Sequence, residues 1–404
     1  MKKSLKGSTQ LLKEPIWTKP FISLFFTNIA VFIVFYGLVA TLPLYAIGEL
    51  GRTDEEAGLL MTIFLLSAII VRPFTGKILD LAGKRKMLWL SLFLYLICTI
   101  LYYFIPSYHG LLILRFVQGI WFSIVTTASG ALAADTIPVK RRGTGLGYYA
   151  MSTNTAVVLG PIIALYLIQT YSFHALFIVL SVLMMIGSAS AVIAPKGTVS
   201  KVQLERKRLT IHDLFEKNAL PIASLGSLLA FSYASVLSYL SIYAQQKGIL
   251  EFASSFFFVF AAVMLLTRPF TGKVFDEKGP KYIITPGFVF FIIGLIVLAF
   301  SKSAFTFLIA GGFIGLGYGA LVPSFQTLAI QSAKQERSGY ATATFFTLFD
   351  TGLAAGSYVL GLVAIYFGYQ SIYFVSCGVL TVVFLFYLLT SKRQKGKAIM
   401  HEGN

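Results

Sequence analysis

Twelve times along this chain the sequence runs through about twenty predominantly apolar residues and then breaks at a short polar loop. The runs lie near 20–47, 57–79, 87–105, 110–134, 144–169, 174–194, 218–245, 252–274, 282–300, 305–332, 339–366 and 370–390. A segment of that length in hydrocarbon must satisfy its own backbone hydrogen bonds, which a helix does and a lone strand does not. The expectation is an all-α integral membrane protein with twelve transmembrane helices. Composition agrees, because 57% of the 404 residues are hydrophobic and 12% charged, too little polar surface to clothe a water-soluble globule. The first run follows a long polar tail and exceeds a signal-peptide core, so it is read as a retained helix.

Placing the N-terminal tail inside puts Lys2, Lys3, Lys6, Lys13 and Lys19 in the cytoplasm. The same side then holds GKRK near 83–86, VKRRG near 139–143, ERKR near 205–208, and Lys392, Arg393, Lys395 and Lys397. The outer loops keep only Arg52, Lys247 and Lys302, the asymmetry that the positive-inside rule describes. Both termini are expected in the cytoplasm, and short loops suit a bacterial inner membrane. The formal charge of +17 reads as a topology signal and as attraction to an anionic leaflet. Spread over many loops with no room for a reader domain, it is not a nucleic-acid footprint. Cys98 and Cys377 fall in separate apolar runs, and His109, His174, His212 and His401 in loops or tails, so no metal or disulfide framework is expected.

RPFTGKILD begins at Arg72 and RPFTGKVFD at Arg268, an offset of 196. The offset recurs: Arg141 and Gly143 fall on Arg337 and Gly339, and Asn154 and Gly160 fall on Asp350 and Gly356. One offset holding through loops and helices indicates internal duplication. The chain is read as two six-helix halves, 20–194 and 218–390, joined by a basic linker, 195–217, with tails 1–19 and 391–404. Parallel halves handling a substrate between them at mid-membrane are one plan of secondary transporters.

GKILDLAGKRK from Gly76, RFVQG from Arg115 and LGPIIA around Gly160 and Pro161 together resemble the major facilitator superfamily over essentially the whole chain. The likeness is greatest to its proton-coupled drug and metabolite efflux branch. The resemblance implies a gating loop carrying Gly76, Asp80, Gly83, Lys84 and Arg85, a coupling-associated motif of Arg115, Gln118 and Gly119, and an antiporter-type fifth-helix motif at Gly160 and Pro161. Leu81 stands where the loop motif carries arginine, and Ala164 and Leu165 replace a glycine pair beyond Pro161. Alanine still permits close helix approach.

Among the acids, Asp350 falls deep in the bilayer, eleven residues and about 16 Å beyond Gly339. Such a carboxylate is costly as an anion, which makes protonation an available switch. Asp350 is the first proton-coupling candidate, the alternative being a structural ion pair. Arg115 is the second, set against an arginine snorkelling to outer headgroups. Arg72 and Arg268 are placed at equivalent helix ends. With Asp80, Lys84, Asp135 and Arg142 near the same face, and with Gly272 and Asp276 in the second copy, they form candidate gating elements; anchoring to lipid phosphates is the competing reading. Gly352 and Gly356, like Ala156 and Gly160 or Gly311, Gly315 and Gly319, form small-residue stripes that serve helix packing. Phe32, Tyr36, Phe231, Tyr233 and Tyr239 are candidates to line a greasy cavity. Asn28 is a polar candidate whose alternative is a bond within its own helix.

No GxxxxGK[ST] phosphate loop, metal cluster or nucleophile elbow appears, so neither an enzyme nor a cofactor is expected. The leading reading is a proton-coupled antiporter exporting a small amphipathic drug or metabolite. Its partners are then a small-molecule substrate, a proton gradient and the bilayer, and the chain acts as a monomer. The alternatives are a proton-coupled importer of a small metabolite and a non-transporting membrane sensor or lipid-handling protein. Fold does not fix the substrate.

Overall fold

The structure is a computed structural model describing residues 15–193 and 214–402. The tail up to residue 14 and the linker over 194–213 lie outside the described residues. Among the described residues twelve α-helices follow in order: α1 Lys19–Gly48, α2 Asp54–Ala82, α3 Lys84–Leu101, α4 Tyr108–Thr136, α5 Arg142–Thr170, α6 Phe173–Ser190, α7 Leu220–Gln246, α8 Ala253–Lys278, α9 Lys281–Ala299, α10 Ala304–Gln331, α11 Ser338–Phe367 and α12 Tyr369–Glu402. Eleven are long and apolar enough to cross a membrane. The other, α3, is 18 residues long and opens on Lys84, Arg85 and Lys86, which dilute its apolar signal.

Local chemistry sets the helix starts. Thr53 and Glu56 form a reciprocal capping box at the start of α2, and Ser107 and Ser172 cap α4 and α6 through backbone N–H groups three residues on. The α2–α3 and α8–α9 connections turn on single glycines with positive φ, Gly83 at φ +87° and Gly279 at φ +95°. These two are again 196 residues apart, so the repeat is kept in backbone conformation as well as in sequence. Added Cβ atoms would meet nothing within 4 Å at either glycine, so a substitution there is penalised through the backbone alone. With ψ at 131° and 165° these glycines lie outside the αL well that Asn tolerates, so Gly83→Ala, Gly279→Ala and the Asn variants are each expected to destabilise by about 1–3 kcal/mol. Melting of the purified variants checks this.

One sequence expectation is corrected here. Arg72 and Arg268 do not sit at helix ends, because α2 and α8 run straight through Pro73 and Pro269 and on to Ala82 and Lys278. Both arginines are buried, at 4% and 3% exposure, which rules out anchoring to lipid phosphates.

The described residues gather into two compact units, one extending to Leu220 and including Gln326–Thr347, the other comprising Pro221–Phe325 and the residues from Leu348 onward. In the first unit α2 packs on α4 where Gly119 lies against the Phe64 carbonyl and Ser67, leaving no room for a Cβ. In the second, a Cβ on Gly315 would come within 2.5 Å of the Phe260 carbonyl oxygen. Phe64 and Phe260 are separated by the same 196 residues as Gly119 and Gly315, so the two units share a helix contact, not only a motif.

Candidate functional site

On the face of the first unit that carries the basic loops, several sequence-predicted gating residues meet. Lys84, 5% exposed, donates to Asp135 Oδ2 at 2.7 Å and to the Ser338 hydroxyl at 2.7 Å, while Ser338 donates to Asp135 Oδ1 at 2.9 Å. The three side chains close a ring between the start of α3, the end of α4 and the start of α11. Arg142, also buried, adds its field to Asp135. Beside the ring, Asp80 accepts a hydrogen bond from Tyr340 and feels the charges of Lys84 and Arg337. Gly76 makes that approach possible, since a Cβ there would stand 2.7 Å from the Tyr340 ring and 2.9 Å from its Cα. Arg72 lies over the Phe346 ring, 5.1 Å from its centroid.

Two residues of this face depart from expectation. Arg85 turns away and donates to the Val192 carbonyl at 3.1 Å. Glu216, which falls in the basic linker read from sequence, is 5% exposed. It accepts from Arg337 Nε, and its backbone N–H donates to Thr344 Oγ1 at 2.8 Å. Arg337 also lies over Tyr340 at 4.2 Å. Ser338, Tyr340, Thr344 and Glu216 were missed from sequence; only Arg337 carried a signal, as the repeat mate of Arg141. Gly272 and Asp276 lie on α8, in the second unit.

Arg115 is 1% exposed, so it does not snorkel to the outer headgroups. Its Nε donates to the Leu60 carbonyl at 3.3 Å, its Nη1 to Gln118 Oε1 at 3.2 Å, and its guanidinium lies 4.5 Å from the Phe64 centroid. Tyr102 donates to the same Gln118 oxygen at 2.7 Å. The motif thus holds a buried cation by neutral acceptors and a ring face.

Asn28 does not bond within its own helix. Its Nδ2 donates to Ser152 at 2.7 Å and Thr153 at 2.9 Å on α5, and its Oδ1 accepts from the Tyr149 hydroxyl at 2.9 Å. Tyr149 shares a further bond with Ser129 Oγ at 2.7 Å, which ties α1, α4 and α5 into one polar hub. A small recess lined by Thr27, Asn28, Val31, Val125, Thr126 and Ser129 opens beside it.

In the second unit Asp350 is half-buried near the middle of α11. Two residues on, Gly352 seats against the Ser227 carbonyl of α7, and Gly356 against Phe231, where a Cβ would meet Phe231 Cα at 2.7 Å. Tyr233 stacks on Tyr318 with centroids 3.9 Å apart. Tyr239 donates to the Ser357 carbonyl, a helix-to-helix bond. In the first unit Tyr36 stacks on Phe32 at 6.0 Å.

The motifs now have their places, and the family model described as Major Facilitator Superfamily matches residues 24–301 and 251–403. The chain belongs to the major facilitator superfamily. As a member it is a multi-pass membrane transporter and not an enzyme. It is similar to the multidrug resistance protein MdtG of Dickeya zeae, with 26% identity over 94% of this chain and 95% of that protein. The MdtG of Escherichia fergusonii is 26% identical over 83% of this chain and 85% of its own. The crystal structure of the human organic anion transporter MFSD10 shares the fold, with a TM-score of 0.76 and 16% identity over 91% of this chain and 98% of that one.

Both departures from the superfamily's motifs have a structural counterpart. Leu81 is exposed, and Lys84 and Arg337 supply the positive charge around Asp80 without it. Ala164 is fully buried, and its methyl would lie 3.4 Å from a Cβ on Gly37, while a Cβ on Gly160 would meet Tyr36 Cβ at 2.9 Å. Alanine therefore serves the close α1–α5 approach that a glycine would.

Proposed function

We propose that this transporter is a proton-coupled antiporter that exports a small amphipathic compound by alternating access between its two six-helix halves, 20–194 and 218–390. The observation that carries the reading is Asp350, a half-buried carboxylate midway along an apolar helix. A carboxylate midway along a membrane helix is a group whose protonation can be tied to a conformational change, which is what coupling to a gradient needs. The seat of Gly160 on α1 supports the antiporter assignment, and so does similarity to proteins named for multidrug resistance. Lys84, Asp135 and Ser338, with Asp80, Tyr340 and Arg72, act as the cytoplasmic gate: a polar lock that must break when that side opens. The protein works as a monomer in a bacterial inner membrane with both termini cytoplasmic.

The test uses everted vesicles with a trapped pH dye and an imposed proton gradient, screened against compound classes. A substrate should evoke proton release from wild-type vesicles and none from Asp350→Asn, with both proteins inserted at equal levels. Release that survives the substitution would move proton coupling away from Asp350.

A further inference from the structure

The buried arginines of this protein have unequal surroundings. Arg115 is held by a carbonyl, an amide and a ring; Arg72 lies over Phe346; Arg142 has the field of Asp135. Arg268 is at least as buried as Arg72; its Nε, like those of Arg72 and Arg142, makes no hydrogen bond, and among the described residues no carboxylate forms an ion pair with it. A guanidinium in hydrocarbon is strongly unfavourable unless an anion or acceptors meet it. A guanidinium without a carboxylate partner is a ready receptor for an anion.

The neighbourhood says what kind of anion. Phe256, Phe260 and Met264 recur every fourth residue along α8 and face Gly311, Gly315 and Gly319 of α10. Arg268 lies one turn further along α8, and Tyr318 of α10 stands close enough to interact electrostatically with its guanidinium. From α10, Tyr318 stacks on Tyr233 at 3.9 Å with an interplanar angle of 21°, and it is the half-buried, reachable member of the pair. The positions 196 residues earlier hold Phe122 and Gly37, so the first half has the arginine without the tyrosines.

We infer that Arg268 and the Tyr233–Tyr318 stack form a binding subsite for an amphipathic aromatic carboxylate. The guanidinium fork receives the carboxylate in a bidentate pair, and the half-buried Tyr318 receives the ring. This deepens the antiport reading by fixing the substrate's charge, and it rests on that reading only for the claim that the bound compound is carried.

The test is equilibrium binding by calorimetry, using the full chain in lipid nanodiscs with empty discs as the blank and no gradient applied. The probes are naphthoate and its neutral isostere naphthamide. Naphthoate should bind at least about tenfold more tightly. Arg268→Gln should erase that preference, Arg268→Lys should keep part of it, and Tyr318→Ala should weaken both ligands. Equal binding to wild type, a preference that survives Arg268→Gln, or no binding of either probe up to about 5 mM to folded protein would each overturn the subsite. A charge preference found alongside absent proton release would sink antiport and leave the subsite standing; the opposite pair of results would do the reverse.

Discussion

Asp135→Asn should destabilise the protein by about 3–5 kcal/mol, the range for breaking a buried ion pair on one side. The substitution strands two cations at once, since Lys84 and Arg142 are both buried and both look to this carboxylate. It also weakens the acceptor for Ser338. Lys84→Met should do less harm, because Arg142 and Ser338 still attend the anion. Combining the two should recover part of the loss, with a coupling of roughly 1–3 kcal/mol in the double-mutant cycle. Thermal unfolding reads the stability. A cysteine at Ala341, fully buried on α11, reads the seam through its labelling rate in a background lacking Cys98 and Cys377. Additive losses would show that the ring of Lys84, Asp135 and Ser338 is three separate contacts and not one lock.

Gly76→Val should open the same seam without touching a charge. The new Cβ would meet the Tyr340 ring at 2.7 Å and its Cα at 2.9 Å, and a backbone atom cannot yield by rotating a side chain. Overpacking of this kind costs about 1–3 kcal/mol, which moves a two-state equilibrium by roughly 5- to 150-fold. Labelling at position 341 should rise accordingly while the melting behaviour stays cooperative. Gly58→Val on the same helix is the control, since a Cβ there meets nothing within 4 Å. If both valines behave alike, the fit of Tyr340 against Gly76 is not what closes this face.

The twelve helices were legible because length and hydropathy are enough to specify a membrane span, and the duplication was legible because it preserved an offset. The reading failed where a rule from water was carried into the membrane. Arg72 and Arg268, each followed by a proline, read as helix ends, yet in hydrocarbon the chain gains nothing by ending there, and the helices pass through Pro73 and Pro269. It also failed wherever function depends on distant partners. Glu216 looks like any loop acid until Arg337, 121 residues away, is set beside it. Asn28 looks self-contained until Ser152, 124 residues away, accepts its amide. Arg115 was recognised by its motif, but the carbonyl that holds it belongs to Leu60, and a backbone acceptor leaves no trace in residue identity.

The repeat of Gly119 on Phe64 by Gly315 on Phe260 has a consequence for how such a chain tolerates change. Duplication kept the steric joints and let the chemistry drift: Arg115 faces Gly311, Lys84 faces Pro280 and Asp350 faces Asn154 across the offset of 196. Restoring symmetry is therefore not a neutral edit. An arginine copied onto position 311 would meet the Phe256 carbonyl and ring at 3.1 Å from its first side-chain carbon. The two halves have become ancestral twins with separate trades, and at position 311 the packing they still share closes the second half to the first half's arginine.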